Sequence, residues 1–417
     1  MLKTESRREI RQKLAAWLPD QSLFVSHSGE EMESSRDDVF PFEVNRNFFY
    51  LTGIDSPDAI YVMLKRNQNI RELLFVHIPT PMEQRWMNRH FDAEAVKKDT
   101  GISGLYPRES FDEMLSRLMF RGDIESLYVD VSRYDATRPL NTAQLIAGKL
   151  LQEYPYLSMH NAFPFIAKQR TIKYPEEIED HRKAVEITEL GVKNMLAHMK
   201  PGMKEYEIEA YYDFVLRSHG VKIPAFTTIA AAGANANHMH YMDNDAVTKD
   251  GDLILFDLGA RWNYYCADVS RTYPVNGSFT ERQKQLYHAV LLGLKAAEDA
   301  SKPGVVKDDL QNLSRHVMAE ELIRIGKITR EEEIAKYYMH GSGHTIGLDT
   351  HDAGDYDLLL EKDMMFTLEP GLYFDDEGMG IRIEDTLLVT DTGVEILSAG
   401  IPKEIDEIEA YMREHHD

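Results

Sequence analysis

Asp252-Leu-Ile-Leu-Phe-Asp257-Leu-Gly-Ala-Arg-Trp-Asn-Tyr-Tyr-Cys-Ala-Asp268-Val-Ser-Arg-Thr-Tyr273 reads as two apolar strands joined by a turn around Gly259 to Asn263. Each strand carries one aspartate among residues suited to a core. A buried carboxylate is costly unless a cation, a hydrogen-bond network or a metal compensates it. Two of them, eleven positions apart, ask what positive charge sits between them.

The same device recurs downstream. Met365-Phe-Thr-Leu-Glu369-Pro-Gly-Leu-Tyr373 and Gly380-Ile-Arg-Ile-Glu384-Asp-Thr-Leu-Leu-Val389 each read as a strand with an isolated carboxylate. Just before them comes Met339-His340-Gly-Ser-Gly-His344-Thr-Ile-Gly-Leu-Asp-Thr-His351-Asp-Ala-Gly354, rich in glycine and histidine. It fails as a dinucleotide fingerprint, because Ile346 stands where a third glycine is required and no strand precedes it. Any one of the acids alone would read as a structural ion pair. Asp257, Asp268, Glu369 and Glu384 taken with His344 form an oxygen-rich set suited to two divalent ions such as manganese, cobalt or iron. A thiolate-bound structural zinc is disfavoured, since Cys266 is the single cysteine. Two divalent ions can polarise a carbonyl and activate water.

An internal echo frames this set. Gly191-Val-Lys193, Lys200-Pro201-Gly202 and Glu207-Ile208 recur 102 positions later as Gly293-Leu-Lys295, Lys302-Pro303-Gly304 and Asp309-Leu310. The shared pattern is a helix, a Pro-Gly break and a second helix. A duplicated α/β half would put a site at the join, where acids from both halves meet.

The 417 residues exceed one ordinary core and fit about two or three units. The boundary falls in Phe163-Pro-Phe-Ile-Ala-Lys-Gln-Arg-Thr-Ile-Lys-Tyr-Pro175, where proline and two glutamates open a helix. Upstream, a helix over Glu5–Trp17, strands over 21–26, 59–64, 72–77 and 126–130, and helices over Phe111–Met119 and Thr142–Glu153 predict a layered, mostly parallel sheet. Phe48, Phe49 and Tyr50 read as core or interface. No apolar run reaches the roughly 18 residues that span a bilayer, and the charged N-terminus has no signal-peptide core. One cysteine fits a reducing compartment, so the expectation is a cytoplasmic protein with no membrane partner. With 47 basic and 70 acidic residues the net charge is −23, which argues against nucleic-acid binding.

The local motifs Phe-Asp257-Leu-Gly, Ala-Asp268-Val-Ser-Arg-Thr, Gly-His344-Thr-Ile-Gly, Leu-Glu369-Pro-Gly and Arg-Ile-Glu384-Asp occur in an order that resembles the pita-bread metallopeptidases, the group of methionine aminopeptidase, prolidase and aminopeptidase P. The likeness covers nearly the whole chain, and Arg36–Gly53 is similar to the non-catalytic domain of aminopeptidase P. It implies an α/β (α+β) protein. A smaller α/β domain over 1–165 would precede a pita-bread (creatinase/aminopeptidase) domain with internal pseudo-duplication over 166–417. It further implies that Asp257 chelates one metal, that His344 belongs to the other, that Asp268 and Glu384 bridge both, and that Glu369 binds the second and serves as general base. His240, in Asn237-His-Met-His240-Tyr, would contact the peptide near the scissile bond, and His351 would hydrogen-bond the oxyanion. His340 and Tyr373 would line a proline pocket, and Arg382 would order the acids by a charge-assisted hydrogen bond.

The implied activity is release of an N-terminal residue that precedes proline, with two divalent ions, manganese first among manganese, cobalt, zinc and iron. The implied partners are peptides with proline second and further copies of the chain as a homodimer or higher homo-oligomer. The alternatives are a prolidase confined to Xaa-Pro dipeptides and, from another class, a non-catalytic pita-bread binding protein. Relatives of the second kind typically lose metal ligands, whereas all five stand here. A creatinase-like hydrolase is disfavoured on the same ground. The chain departs from many relatives after Gly354, where Asp355-Tyr-Asp-Leu replaces a longer loop with an arginine, so dipeptide against longer-peptide preference stays open.

Overall fold

The computed structural model describes all residues except 88–90, 132–136, 138, 355–358 and 416–417. The distinctive stretch that follows Gly354 therefore lies outside the described residues. The chain divides into two compact units, Met1–Gln169 and Arg170–Asp417.

In the first unit, helix α1 (Thr4–Trp17) precedes strand β1 (Ser22–His27), and strands β2 (Ile60–Arg66), β3 (Asn69–Val76), β4 (Leu105–Pro107), β5 (Ser126–Val129) and β6 (Ser158–Asn161) complete one sheet. Its order is β4-β3-β2-β1-β5-β6. The sheet is mostly parallel, as expected, with one exception: β2 alone runs against the rest, pairing antiparallel with β1 and β3, while the other three pairs are parallel. Only a two-residue turn at Asn67-Gln68, both with positive φ, separates β2 from β3, and a turn that tight forces an antiparallel hairpin. Helices α2 (Phe111–Met119) and α3 (Thr142–Glu153) stand where expected. Phe48, Phe49 and Tyr50 are buried on a short helix, Arg46–Thr52, so they are core.

The second unit opens with α4 (Pro175–His198), whose first-turn Glu177 accepts from Tyr174 N at 2.8 Å. It continues through α5 (Glu205–Ser218), β7 (Ile229–Ala232), β8 (Leu253–Leu258), β9 (Val269–Pro274), α6 (Glu281–Ala300) and α7 (Lys307–Arg324). The closing strands are β10 (Met365–Leu368), β11 (Gly371–Phe374), β12 (Met379–Arg382) and β13 (Asp385–Val389).

The internal echo is structural. The pairs α4–α5 and α6–α7 are related by the same offset, and each Pro-Gly break holds a glycine with positive φ, Gly202 and Gly304. The bridge Lys204↔Val247 is matched by Val306↔Leu359. The echoed glycines mark where the helices cross: a Cβ on Gly191 would strike the Tyr212 ring, and one on Gly293 would strike Met318. One apolar core joins both halves, running from Ile187 and Met195 through Phe256 and Leu291 to Phe366 and Leu387.

The strand pairs repeat too. β8 runs antiparallel to β9, as β10 does to β13. Asp257 is the fifth residue of β8, and Glu369 directly follows β10. Asp268 directly precedes β9, and Glu384 directly precedes β13. The expectation of four strands each with an acid inside is thus corrected, since only Asp257 lies within a strand. The others sit at strand ends, where the ladder opens and the side chains turn into a common space. The simple turn expected after Gly259 is also richer, containing a short hairpin, Arg261–Trp262 with Tyr265–Cys266, around Asn263 and Tyr264.

Candidate metal centre

A cavity of about 730 Å³ opens at the join of the two halves and is lined by Asp257, Asp268, His344, Glu369 and Glu384. His240, His340, His351 and Arg382 line it as well, so the acids and the histidines singled out in the sequence share one space. Tyr373 stands behind this lining, in contact with His340 and Arg382.

The innermost group is Asp268, His344 and Glu384, each offering a ligand atom within 4.8 Å of the other two. His344 Nε2 lies 3.3 Å from Asp268 Oδ2 and 3.9 Å from Glu369 Oε1. Its Nδ1 lies 3.1 Å from Thr345 O, and a carbonyl only accepts. Nδ1 therefore donates to that carbonyl, and the ring turns Nε2 toward the acids. The backbone holds this ring in place: Thr367 N donates to His344 O at 2.8 Å, and Glu369 N donates to Ser342 O at 3.0 Å. Gly343, between them, has φ +146, and a Cβ there would run into the Thr367 carbonyl. The loop lies against β10 only because that position is glycine.

Electrostatics set the acids apart from ordinary surface carboxylates. Burial, then the charges of Asp257 and Glu369, push Asp268 well above the usual carboxylate range. Burial, then Asp268, Glu369 and Asp257, do the same to Glu384. Burial also raises Glu369, against the opposing pull of His344 and Arg382. Like charges this close cannot all ionise without added positive charge.

Arg382 supplies part of it. It donates Nη2 to Asp257 Oδ2 at 2.7 Å, Nε to Ser270 Oγ at 2.7 Å and Nη1 to Tyr373 OH at 2.9 Å. Two relays follow from these donors. Ser270, accepting from Arg382, passes its own hydrogen to Glu384 Oε2 at 2.9 Å. Tyr373, accepting likewise, donates to His340 Nε2 at 2.8 Å, and His340 Nδ1 donates to Gly341 O at 2.6 Å. Burial and Arg382 hold His340 down to about 4, so its ring is neutral. Desolvation in the cavity and the adjacent His344, at 4.1 Å between ring centroids, hold His351 at about 4.

One guanidinium does not balance four carboxylates. Asp257 Oδ1 is buried and has no hydrogen-bond partner among the described residues. An unpartnered carboxylate oxygen on a residue that shares the cavity with three further acids and an imidazole fits divalent cations. Asp257 and Glu369 flank the innermost group rather than joining it, which leaves room for more than one ion.

Several participants were not singled out in the sequence. Ser270 lies in the quoted Ala-Asp268-Val-Ser-Arg-Thr motif, but serine carries no signal of its own. Arg271 donates Nη1 to the carbonyl of Glu384 and Nη2 to Asp385 Oδ1, the latter at 2.7 Å, which pins the Glu384 backbone. Phe226, Thr227, Ile229, Met239 and Met242 form the apolar wall of the cavity, and no motif announces them.

With this arrangement in view, comparison with known proteins places the chain. The profile of "Metallopeptidase family M24" matches residues 179–391, and that of "Aminopeptidase P, N-terminal domain" matches residues 7–128. The chain belongs to metallopeptidase family M24. An Escherichia coli protein named Xaa-Pro aminopeptidase is 31% identical over 439 residues, covering 98% of each chain. A solved chain from Bacillus anthracis assigned to aminopeptidase P has a TM-score of 0.97 at 40% identity, covering 100% of this chain and 99% of that one. The structure of Escherichia coli aminopeptidase P with the inhibitor Pro-Leu has a TM-score of 0.91 at 28% identity, covering 99% of each.

Proposed function

We propose that this protein is a Xaa-Pro aminopeptidase, hydrolysing the bond between an N-terminal residue and a following proline with two divalent ions, manganese being the first to test. The observation that carries the reading is the convergence of four carboxylates, His344 and three further histidines on one cavity at the join of a duplicated domain. The likeness to named Xaa-Pro aminopeptidases over nearly the full length supports it. Under this reading Asp257, Asp268, His344, Glu369 and Glu384 are the residues that would hold the ions. When bound, the ions supply Lewis acidity at the scissile carbonyl and make the attacking water more acidic.

The chain's own groups do the remainder. Glu369 accepts a proton as water adds to the carbonyl carbon and returns it to the proline nitrogen as the C–N bond breaks. A neutral His351 donates an N–H to the carbonyl oxygen as that atom gains charge. His240 holds the peptide near the scissile bond. His340, which lines the cavity, receives the proline ring, and Tyr373 backs it from behind the lining at 5.5 Å between ring centroids. A Xaa-Pro bond lacks an N–H, so a site that grips the carbonyl and the ring loses nothing by its absence. Arg382 holds Asp257, Ser270 and Tyr373 in register for these tasks.

The Met1–Gln169 unit acts in this reading as the non-catalytic domain, and Arg170–Asp417 as the catalytic one. Its exposed Trp86 (83%) and Phe120 (90%) offer apolar surface for a second copy, which light scattering would detect. No helix among the described residues is long and apolar enough to cross a membrane. A single cysteine fits a reducing, cytoplasmic location.

The deciding experiment compares a Xaa-Pro dipeptide with a Xaa-Pro-Xaa tripeptide on manganese-loaded protein, alongside metal analysis. Tripeptide cleavage that chelator abolishes is expected. Cleavage of the dipeptide alone would make it a prolidase, and neither cleavage nor bound metal would make it a binding protein.

A further inference from the structure

Position 205 opens the second helix of the first half, and position 307 opens its counterpart in the second half. Both side chains reach toward a loop that brings a histidine to the cavity. Lys307 donates Nζ to Gly343 O at 2.6 Å, one residue before His344. Glu205 does the complementary thing on the other side. It is fully buried, and its Oε1 accepts from Ala232 N at 2.7 Å and Asn235 Nδ2 at 3.1 Å. Its Oε2 accepts from Tyr241 OH at 2.8 Å and Ala246 N at 2.9 Å.

These four donors come from the start, the middle and the end of one stretch, residues 232–246, and His240 lies inside it. A carboxylate offers about four lone-pair sites, so the acceptor is filled. Buried, it cannot exchange those donors for water without a large penalty, and the stretch keeps the one shape that delivers all four. His240, by contrast, is exposed at the cavity and its ring makes no hydrogen bond among the described residues. Its place is decided by its backbone, and the neighbouring residue Tyr241 is tied directly to Glu205. Burial and Glu205 raise the Tyr241 phenol to about 12, which keeps it a donor.

We infer that Glu205 is the positioning residue of the His240 loop: it fixes residues 232–246 and, through them, where His240 meets the peptide. The second clause rests on the peptidase reading, and the first does not. The reciprocal placement of Lys307 makes this a repeated device of the duplicated fold, with its charge reversed because one loop offers N–H and O–H donors and the other a carbonyl.

The test uses full-length E205Q and Y241F loaded with manganese. Glutamine keeps the shape but turns an NH2 toward groups that are themselves donors, and Y241F removes one donor and leaves the rest. Expected losses in kcat/KM on a Xaa-Pro-Xaa tripeptide are about 10²-fold for E205Q and roughly tenfold for Y241F, with metal stoichiometry unchanged. Adding H240A to E205Q should cost little more than H240A alone, since both remove one contact. Amide hydrogen exchange should rise in residues 232–246 of both variants and stay as it was in the strands over 253–258 and 385–389. Multiplying losses in the double variant would overturn the role toward His240. Wild-type exchange in residues 232–246 of both variants would overturn the loop anchor itself. If the wild-type protein cleaves no peptide, the peptidase reading falls, and the exchange result alone decides the anchor.

Discussion

Arg382 donates from Nη2 to Asp257 Oδ2 at 2.7 Å, joining residues that lie 125 positions apart and belong to opposite halves of the duplicated unit. The same guanidinium also reaches Ser270 and Tyr373, so a single cation organises the acids on one side and the Tyr373–His340 pair on the other. Lysine has neither the planar fork nor enough donors in that plane to copy it. Arg382→Lys should lower kcat about 10²-fold while metal content stays near wild type. Steady-state kinetics with metal analysis on the same sample would check this, and a near-normal kcat would remove Arg382 from the catalytic arrangement.

Glu369 and Asp268 differ in the kind of loss they predict. Glu369 flanks the innermost ligand group, so Glu369→Gln should retain at least one ion but lose a proton acceptor, with kcat down by about 10³-fold or more. Asp268 is buried inside that group, so Asp268→Asn should lose metal together with activity. Metal stoichiometry read beside turnover distinguishes the two, and full activity in either variant would refute the assigned centre.

Removing metal should cost stability as well as activity. Without cations the buried acids repel one another, and burial holds Asp268 and Glu384 toward their protonated forms. Ligand held at 1,000 times its Kd stabilises a folded state by about 4 kcal/mol. For a unit of this size that corresponds to a fall in Tm of roughly 10 °C on chelation. Calorimetry with and without chelator measures it, and an unchanged Tm would mean that the cavity binds no metal tightly.

Asp352 anchors the loop that carries His351 and should govern acid stability. It lies buried between Lys173 Nζ, 2.8 Å from Oδ2, and Arg170, which donates to Oδ1. Burial pushes its carboxyl up, but Arg170 and Lys173 more than offset this and hold it at about 2, below the ordinary 3.8. A depressed folded value stabilises above the unfolded pKa, and the contribution is lost as pH falls from about 4 to about 2. The loss is about 2 kcal/mol for this group. Urea unfolding across that window should show a steeper acid dependence for wild type than for Asp352→Asn. Asp352→Asn should also be about 3 kcal/mol less stable at pH 7, because two buried cations lose their shared counter-charge. Parallel pH profiles for the two proteins would contradict this.

Much of the site was legible because its chemistry is local. Isolated acids in β-forming runs, a histidine between glycines and a repeat at constant spacing are all properties of short stretches, and they are sufficient to name Asp257, Asp268, His344, Glu369 and Glu384. The first unit shows the limit of that reasoning. Its strands were readable from β-branched and aromatic runs, but the antiparallel pairing at its centre follows from the tight Asn67-Gln68 turn, and the short strands Leu105–Pro107 and Ser158–Asn161 carry no distinct pattern.

Ser270, Arg271, Glu205 and Asp352 were silent for a different reason. Each is an ordinary polar residue whose role consists of partners far along the chain: Glu384 for Ser270 and Arg271, residues 232–246 for Glu205, Arg170 and Lys173 for Asp352. Sequence by itself determined which residues could ligate metal and that two halves repeat, because residue type and periodicity are one-dimensional properties. Which acid lies innermost, which oxygen is left without a partner and which buried groups hold the histidine loops in place were decided only by tertiary structure. Those depend on distances of about 3 Å between residues far apart in sequence, and folding alone sets such distances.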